Sequence, residues 1–239
     1  MRNAIFSNNS CTNYCDEAVK VQLTETRPLP QRDFKTEDLL KKRIAKEKFV
    51  RLRLLNPLCL VTVGSTQDYV RSLPSHHEGD FVLSKEQTQG KGRQGRIWFS
   101  DVGGLWLSIV LQPDRPEVLE EIAITGAQSV LQTLQETLSL RGCSIKLPND
   151  IIVNGRKIAG VLVDAEITQA QAVAYMGVGV NLNNDPTRNT EIVTIATSYF
   201  DETGKTVEVA EFAVLFLKTF DRNYEKICTG ATKRSRASN

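Results

Sequence analysis

Residues 86–100 read EQTQGKGRQGRIWFS, and seven consecutive positions in that stretch, 90 to 96, hold three glycines and three cations. Gly90, Gly92 and Gly95 let the backbone approach a ligand closely and take dihedral angles that a Cβ forbids. Lys91, Arg93 and Arg96 bring positive charge to the same place, so the stretch is suited to an anion, with phosphate or carboxylate as the natural guest. The letters also satisfy G-x-G-x-x-G, the dinucleotide-binding fingerprint, which requires the third glycine to open a helix. Here Arg96 leads into Ile97, Trp98 and Phe99, and after Gly103-Gly104 the run LWLSIVLQ alternates Leu105, Leu107, Ile109 and Leu111 like a strand. No helix is expected after the loop, which sets the dinucleotide reading aside. What remains is an anion-binding loop or a glycine-rich hairpin with a solvated basic tip.

Outward from this loop lie short apolar strands and two long amphipathic helices. LCLVTV at 58–63 reads as a buried strand that Gly64 breaks. Ser65 then stands where a helix is capped, and Asp68 at the third helical position completes a capping-box pattern. FVLSKEQ at 81–87 is a strand that delivers Gln87 to the edge of the basic loop. Pro116 starts a helix in which Leu119, Ile122, Ala123, Ala127, Val130, Leu131, Leu134 and Leu138 follow the helical repeat. That helix is scaffold, placed to cover one face of a sheet. SIKLPND brings Lys146 to a strand end before Pro148 forces a turn. IIVNGRKIAGVLVDAEI continues as two strands about an Asn154-Gly155 turn, with Gly160 permitting close backbone approach. AVAYMGVGVNLN at 172–183 is a further strand ending on Asn181. A last helix runs from Thr206 to about Ile227, with Phe212, Phe216, Phe220, Tyr224 and Ile227 along one face.

The fold class expected is α/β of the α+β kind: a mixed β-sheet with helices mainly on one face, spanning residues 57–239. Residues 1–56 are expected to form an N-terminal extension. Its first 32 residues are polar, aperiodic and close on RPLPQ, and are expected to be disordered. From Thr36 to about Leu55 one basic helix is expected, with Glu37 and Asp38 in the first turn and Lys and Arg later.

A chain of 239 residues with 41% hydrophobic content can fill one substantial domain with an appendage. The formal charge of +2 makes no whole-protein field that would draw nucleic acid or a membrane surface, so any anion site is local. Cys11, Cys15, Cys59, Cys143 and Cys228 are odd in number, scattered and without a secretory leader, which favours reduced thiols in the cytoplasm. Cys11-x-x-x-Cys15 is half a metal site whose second half is missing, so no metal ligands are assigned. The acid-free start with Arg2 echoes a transit peptide, against which an unstructured polar start is the simpler reading. No run approaches the roughly 20 apolar residues of a membrane span.

Four stretches together carry a family resemblance. GKGRQGRIW at 90–98 resembles the biotin-binding loop of the biotin protein ligases, G-R-G-R-x-G-R-x-W. KLPND at 146–150 is similar to that family's K-W-P-N-D and leads into KIAGVLVD at 157–164, while GVGVNLN at 177–183 is similar to its G-x-G-x-N. Ser65-Thr66-Gln67 stands where the family has S-T-N. The resemblance implies a biotin/lipoate ligase-like catalytic domain, ATP and biotin as substrates, Mg²⁺, and the biotin carrier domain of a carboxylase as acceptor. It implies biotin contacts from Ser65, Thr66, Gln67, Gln87, Lys91, Gly92, Arg93, Trp98, Lys146 and Gly160. ATP contacts are implied for Gly90, Arg93, Arg96, Lys146, Asn149, Asp150 and Asn181, with Arg93 and Lys146 as the catalytic cations. Gln67 departs from the family's Asn and Leu147 from its Trp.

Each of these residues also has a plainer reading: Ser65 a cap, Gln87 a turn-side amide facing water, Trp98 a core aromatic, Lys146 a solvated strand end, Asn181 a turn former. The implied chemistry joins two anions, a carboxylate and the α-phosphate of ATP, and so needs fixed cations. The mixed anhydride formed must be covered, and the glycines of residues 90–95 make a loop able to close on it. No enzyme nucleophile is required, in accord with the absence of a G-x-S-x-G elbow and of a credible Cys and His pair. A lipoate or octanoate ligase or transferase would share the fold, and a non-enzymatic biotin or adenylate sensor would keep the pocket and lose transfer. Some family members carry a DNA-binding winged helix, but a single periodic segment precedes Asn56, so DNA binding is not expected. Family members usually continue into a small β-barrel domain; fifteen residues follow Tyr224, and the barrel is expected to be missing. A homodimer is left open.

Overall fold

Alternate side chains of each strand point to opposite faces of a sheet, and in this chain one face is apolar while the other is glycine-rich and polar. The computed structural model describes residues 29–230 apart from Leu55, residues 169–171, Thr190 and Val193. The first half of the expected extension, with Cys11 and Cys15, and the terminal KRSRASN lie outside the described residues. The elements in order are α1 (Phe34–Ile44), β1 (Leu58–Val63), α2 (Thr66–Arg71), β2 (Phe81–Gln87), β3 (Leu105–Leu111), α3 (Leu119–Gln132), β4 (Cys143–Lys146), β5 (Asp150–Val153), β6 (Arg156–Ile167), β7 (Ala172–Val180), α4 (Tyr199–Thr203) and α5 (Val209–Cys228). The strands form one mixed sheet in the order β1-β2-β3-β7-β6-β5-β4. Only β1 and β2 pair in parallel, and the crossover that such a pair needs contains α2.

The main core joins Leu105, Leu107, Ile109 and Leu111 of β3 to Ala174, Met176, Val178 and Val180 of β7, and to Ile122 and Val130 of α3 and Phe212, Phe216 and Phe220 of α5. Phe216, Phe220 and Tyr224 stack in series along α5, with centroids 6.0 and 5.4 Å apart. Burying each such ring contributes about 1.5–3 kcal/mol. On the opposite face a smaller cluster of Val63, Val70, Val82, Val110 and Tyr175 lies beneath α2. The rest of that face is open to the site.

The boundary expected at residue 57 does not coincide with an edge of the packing. Leu40, Leu52 and Leu54 belong to the main core, and Gln31 and Asp33 hydrogen-bond to β1 through Val61 N and Cys59 O. Glu37, 1% exposed, accepts from Arg32 at 2.6 and 2.8 Å and from Cys59 N at 3.1 Å. The expected helix also stops early, at Ile44 rather than near Leu55. Its continuation is prevented because the N–H groups of Val50, Arg51 and Leu52 are all taken by the Asp221 carboxylate of α5. The basic turn of α1 is partly neutralised, since Arg43 lies 3.6 Å from both Glu208 and Glu211.

Two local readings differ as well. Ser65 makes no side-chain cap for α2, and Asp68 pairs instead with Lys91. The exposed amide at the start of α2, Thr66 N, is satisfied from outside the helix by Gln87 Oε1 at 2.8 Å. Conversely, α4 escaped the reading although it has a complete capping box between Ser198 and Asp201. Among the described residues, no helix is long and apolar enough to cross a membrane.

Asp221 is fully buried, so Asp221→Ala leaves three backbone donors without a partner and is expected to lower stability by about 3 kcal/mol or more. Urea denaturation should show a lower midpoint at unchanged slope, with Asp221→Asn intermediate. A loss under about 1 kcal/mol would mean that residues 50–52 are held by other contacts.

Candidate functional site

A cleft of about 640 Å³ opens on the glycine-rich face of the sheet. Its floor consists of Gly160 from β6 and Gly177 and Gly179 from β7, three positions whose side chains would otherwise fill it. A Cβ on Gly177 would stand 2.7 Å from Gln67 Oε1, one on Gly179 2.6 Å from Trp98 Nε1, and one on Gly160 3.1 Å from the Trp98 ring. The bare backbone thus admits an amide at one end and an indole laid flat at the other.

The first end is lined by uncharged polar groups. Ser65, Thr66, Gln67, Gln87 and Ser108 border it. Gln87 Oε1 accepts from Thr66 N and Oγ1, at 2.8 and 2.9 Å, and its Nε2 donates to Ser100 Oγ at 2.7 Å. Gln67 Nε2 donates to Tyr175 O at 2.7 Å and to Asp164 Oδ2 at 3.3 Å, while its Oε1 accepts from Ser108 at 3.0 Å. Ser65 is 3% exposed and its hydroxyl has no partner among the described residues. A buried hydroxyl without a partner is costly, and this one stands on the cleft.

Residues 87–100 form a hairpin, with isolated bridges pairing Gln87 to Ser100 and Lys91 to Ile97. The glycine-rich stretch is thus a hairpin, and its tip lines the cleft. The tip turns back through Gln94 at φ 58° and Gly95 at φ 72°, and Gly92 N closes it on Arg96 O at 2.8 Å. Arg93 reaches Asn149 Oδ1 at 3.3 Å. Arg96 is exposed and touches Gln94. Gly90 does not line the cleft: it is buried where the stems cross, and a Cβ there would meet Trp98 O at 2.3 Å. Its missing side chain therefore sets the shape of the loop.

Lys146 ends β4 opposite Asp150 in the register of β4 and β5, exposed on the cleft rim, and the neighbouring Leu147 is 74% exposed. Asn149 is fixed to β6 by Val161 O at 2.5 Å. Asp150 holds Lys157 Nζ at 2.7 Å, and that ammonium lies 4.8 Å from the Trp98 ring centroid. Lys157 and Ser108 are cleft residues that sequence reasoning did not single out. Lys157 sits inside the quoted KIAGVLVD, but nothing in the letters told a cleft cation from a strand-end lysine.

The far end is apolar. Ile152, Ile192, Ile195 and Ala196 line it together with Trp98 and Phe99. The strap at 194–198 is tied to β6 by Lys157 N to Ile195 O at 2.7 Å and Thr197 N to Lys157 O at 2.9 Å. Asn181 borders the cleft, yet its side chain is occupied: it donates to Thr197 O and accepts from Asn184, both at 3.0 Å. Asn181 therefore positions the strap. Glu202 anchors the same segment through Thr197 at 2.6 Å, Asn154 at 2.8 Å and Arg156 at 2.8 Å. Against the opposing effect of its burial, these partners hold its carboxyl below the usual carboxylate range. Burial pushes the Cys59 thiol up to about 12 and that of Cys143 up to about 11, so neither is a poised nucleophile.

Of the expected site residues, the cleft brings together Ser65, Thr66, Gln67, Gln87, Lys91, Gly92, Arg93, Arg96, Trp98, Lys146, Asn149, Asp150, Gly160 and Asn181. Such an arrangement can hold a neutral polar head, an anionic middle and a flat apolar ring in one line. Residues 61–181 match the model of the Biotin/lipoate A/B protein ligase family. The chain is 33% identical, over 70% of its length, to a bifunctional ligase/repressor BirA of Bacillus subtilis, and spans 53% of that relative. It is 30% identical to a biotin--[acetyl-CoA-carboxylase] ligase of Paracoccus denitrificans, over 67% of this chain and 69% of that one. Thus it spans about half the length of some curated relatives it matches. Among solved structures, a biotin protein ligase from Aquifex aeolicus in complex with biotin and ATP aligns with a TM-score of 0.64 at 31% identity, over 73% of this chain and 72% of that one.

Gly179→Ala is expected to lift the Trp98 indole from the floor, visible as a red-shifted emission and readier quenching by acrylamide. Gly64→Ala serves as the control, because a Cβ there meets only Gln89 Oε1, at an ordinary 3.6 Å. Unaltered emission in the first variant would show that the ring does not rest on Gly179.

Proposed function

From the membership of this chain in the Biotin/lipoate A/B protein ligase family, we propose that it activates biotin with ATP to biotinyl-5′-AMP and transfers the biotinyl group to a lysine of a carboxylase's biotin carrier domain. One observation carries the choice of biotin over lipoate: the closed end of the cleft is lined by hydroxyl and amide groups. A ureido ring needs such donors and acceptors. The dithiolane of lipoate would leave the buried Ser65 hydroxyl without a partner and the spare acceptor capacity of the amides unused, and sites built to hydrogen-bond a ligand reject analogues that cannot do so.

In this reading the ureido head lies among Ser65, Thr66, Gln67, Gln87 and Ser108, and the carboxylate points toward the hairpin. A carboxylate oxygen attacks the α-phosphorus of ATP, the bond to the bridging oxygen of the β-phosphate breaks, and pyrophosphate leaves. Arg93, Lys146 and Lys157 offset the negative charge that these two anions bring together. The adenine ring takes the apolar end beside Trp98, Ile192 and Ile195. The hairpin then covers the mixed anhydride until an acceptor amine attacks its acyl carbon, AMP departs and the amine loses a proton. Mg²⁺ would accompany the ATP phosphates. Among the described residues no group of three His, Cys, Asp or Glu side chains gathers to hold a metal, and Asp150 and Asp68 are already paired with Lys157 and Lys91. The cytoplasm is the compartment that supplies these substrates and acceptor. A homodimer is proposed through the outer half of β6, where residues 162–167 have no strand partner on the β5 side among the described residues.

Incubation with biotin, ATP, Mg²⁺ and a carrier domain, followed by intact mass, should add one biotinyl group to the carrier, and lipoate in place of biotin should add nothing. An unmodified carrier, or equal transfer of lipoate, overturns the reading. Lys146→Ala is expected to slow pyrophosphate release by about 10²- to 10³-fold while biotin still binds. Arg93→Ala should keep measurable adenylation but release the adenylate, raising the labelling of bystander lysines. Unchanged pyrophosphate release in the first variant, or strict carrier labelling in the second, removes that residue from its role.

A further inference from the structure

The polar end of the cleft keeps one amide oxygen open to a donor. Thr66 Oγ1 to Gln87 Oε1, Thr66 Oγ1 to Ser108 Oγ, and Ser108 Oγ to Gln67 Oε1 are oxygen-to-oxygen contacts of 2.9, 2.9 and 3.0 Å, served by two hydroxyl protons. Gln87 Oε1 also accepts from Thr66 N at 2.8 Å, whereas Gln67 Oε1 depends on the Ser108 hydroxyl. When Ser108 turns its proton to Thr66, Gln67 Oε1 is left without a donor, and in the other arrangement it keeps a second lone pair. Turning the Gln67 amide over would remove that acceptor by aiming its Nε2 at Ser108.

Two acceptors oppose that flip. Tyr175 O and the Asp164 carboxylate take both Gln67 Nε2 protons, at 2.7 and 3.3 Å. A cation braces the carboxylate: Arg71 lies 3.7 Å from Asp164 Oδ2, pairs with Glu166 at 2.8 Å, and sits 5.4 Å from the Tyr175 ring centroid. None of Asp164, Arg71 and Tyr175 lines the cleft. Resting on the biotin reading above, we propose that Asp164, braced by Arg71, is a positioning residue that locks Gln67 as an acceptor and so makes the site select a ligand with an N–H at that point. Gln67 has the reach for this because its amide extends past the cleft to Asp164 and Tyr175.

Calorimetric titration of the full chain with biotin, and with the two cyclic carbamates in which one or other ureido N–H is replaced by oxygen, tests the lock. The parent should bind one carbamate about 10- to 100-fold more weakly than biotin, because an acceptor is left facing an oxygen. Asp164→Asn, which can donate as well as accept, should weaken biotin about tenfold and leave that carbamate nearly unchanged, so the discrimination collapses. Asp164→Glu, which keeps an acceptor-only group, should preserve it. Equal weakening of biotin and carbamates by Asp164→Asn would show a merely structural role, and no change would show no role; either overturns the proposal while leaving biotin ligation intact. A parent that binds no biotin ends both.

Discussion

Steric vacancy along two adjacent strands is the constraint on which the rest depends. Gly160, Gly177 and Gly179 face the same side of β6 and β7, and their missing side chains let the Trp98 indole and the Gln67 amide rest directly on backbone. The alternation of each strand separates the two demands on the sheet. On β7, Gly177 and Gly179 leave room on one face, while Ala174, Met176, Val178 and Val180 fill the main core on the other. A one-residue slip would exchange those faces. Register in β7 is held from both sides, by β3 and by β6, through most of its length.

The strands and the two long helices were legible because their signals are periodic and local. Phe212, Phe216, Phe220 and Tyr224 announce α5 by spacing alone, and all four are buried without exposure. The segment between Ile44 and Leu54 was not legible, because a carboxylate 170 residues away in sequence from Arg51 decides its path. Ser65 misled for a related reason. A serine before an acidic third position is a local cap signal, but Gln87, arriving from β2, does the capping and leaves the serine free for the cleft. In α4 the same signal was present and true, at Ser198 and Asp201.

Gathering of the candidate site was visible as a set of residues more than as a set of contacts. The motifs named most of the cleft lining, whereas their division of labour is a matter of which hydrogen bonds are already used. Asn181 has its amide occupied by Thr197 and Asn184, Gly90 lies under the stems, and Ser108 sits in a strand whose every residue is buried. No periodicity separates a buried serine that serves packing from one that faces a ligand.

The Glu202 carboxylate has a consequence for the apolar wall. It joins the strap through Thr197 to the β5–β6 turn through Asn154 and to β6 through Arg156. Since its carboxyl is held below its ordinary value in the folded chain, this joint is fully effective above the ordinary carboxylate range and is lost as pH falls through the lowered folded value. Acid below the ordinary carboxylate range should then loosen the strap locally while the apolar sheet stays closed. The apolar wall of the cleft would then hang on its bonds to Lys157 and Asn181, a part loosened by a single protonation.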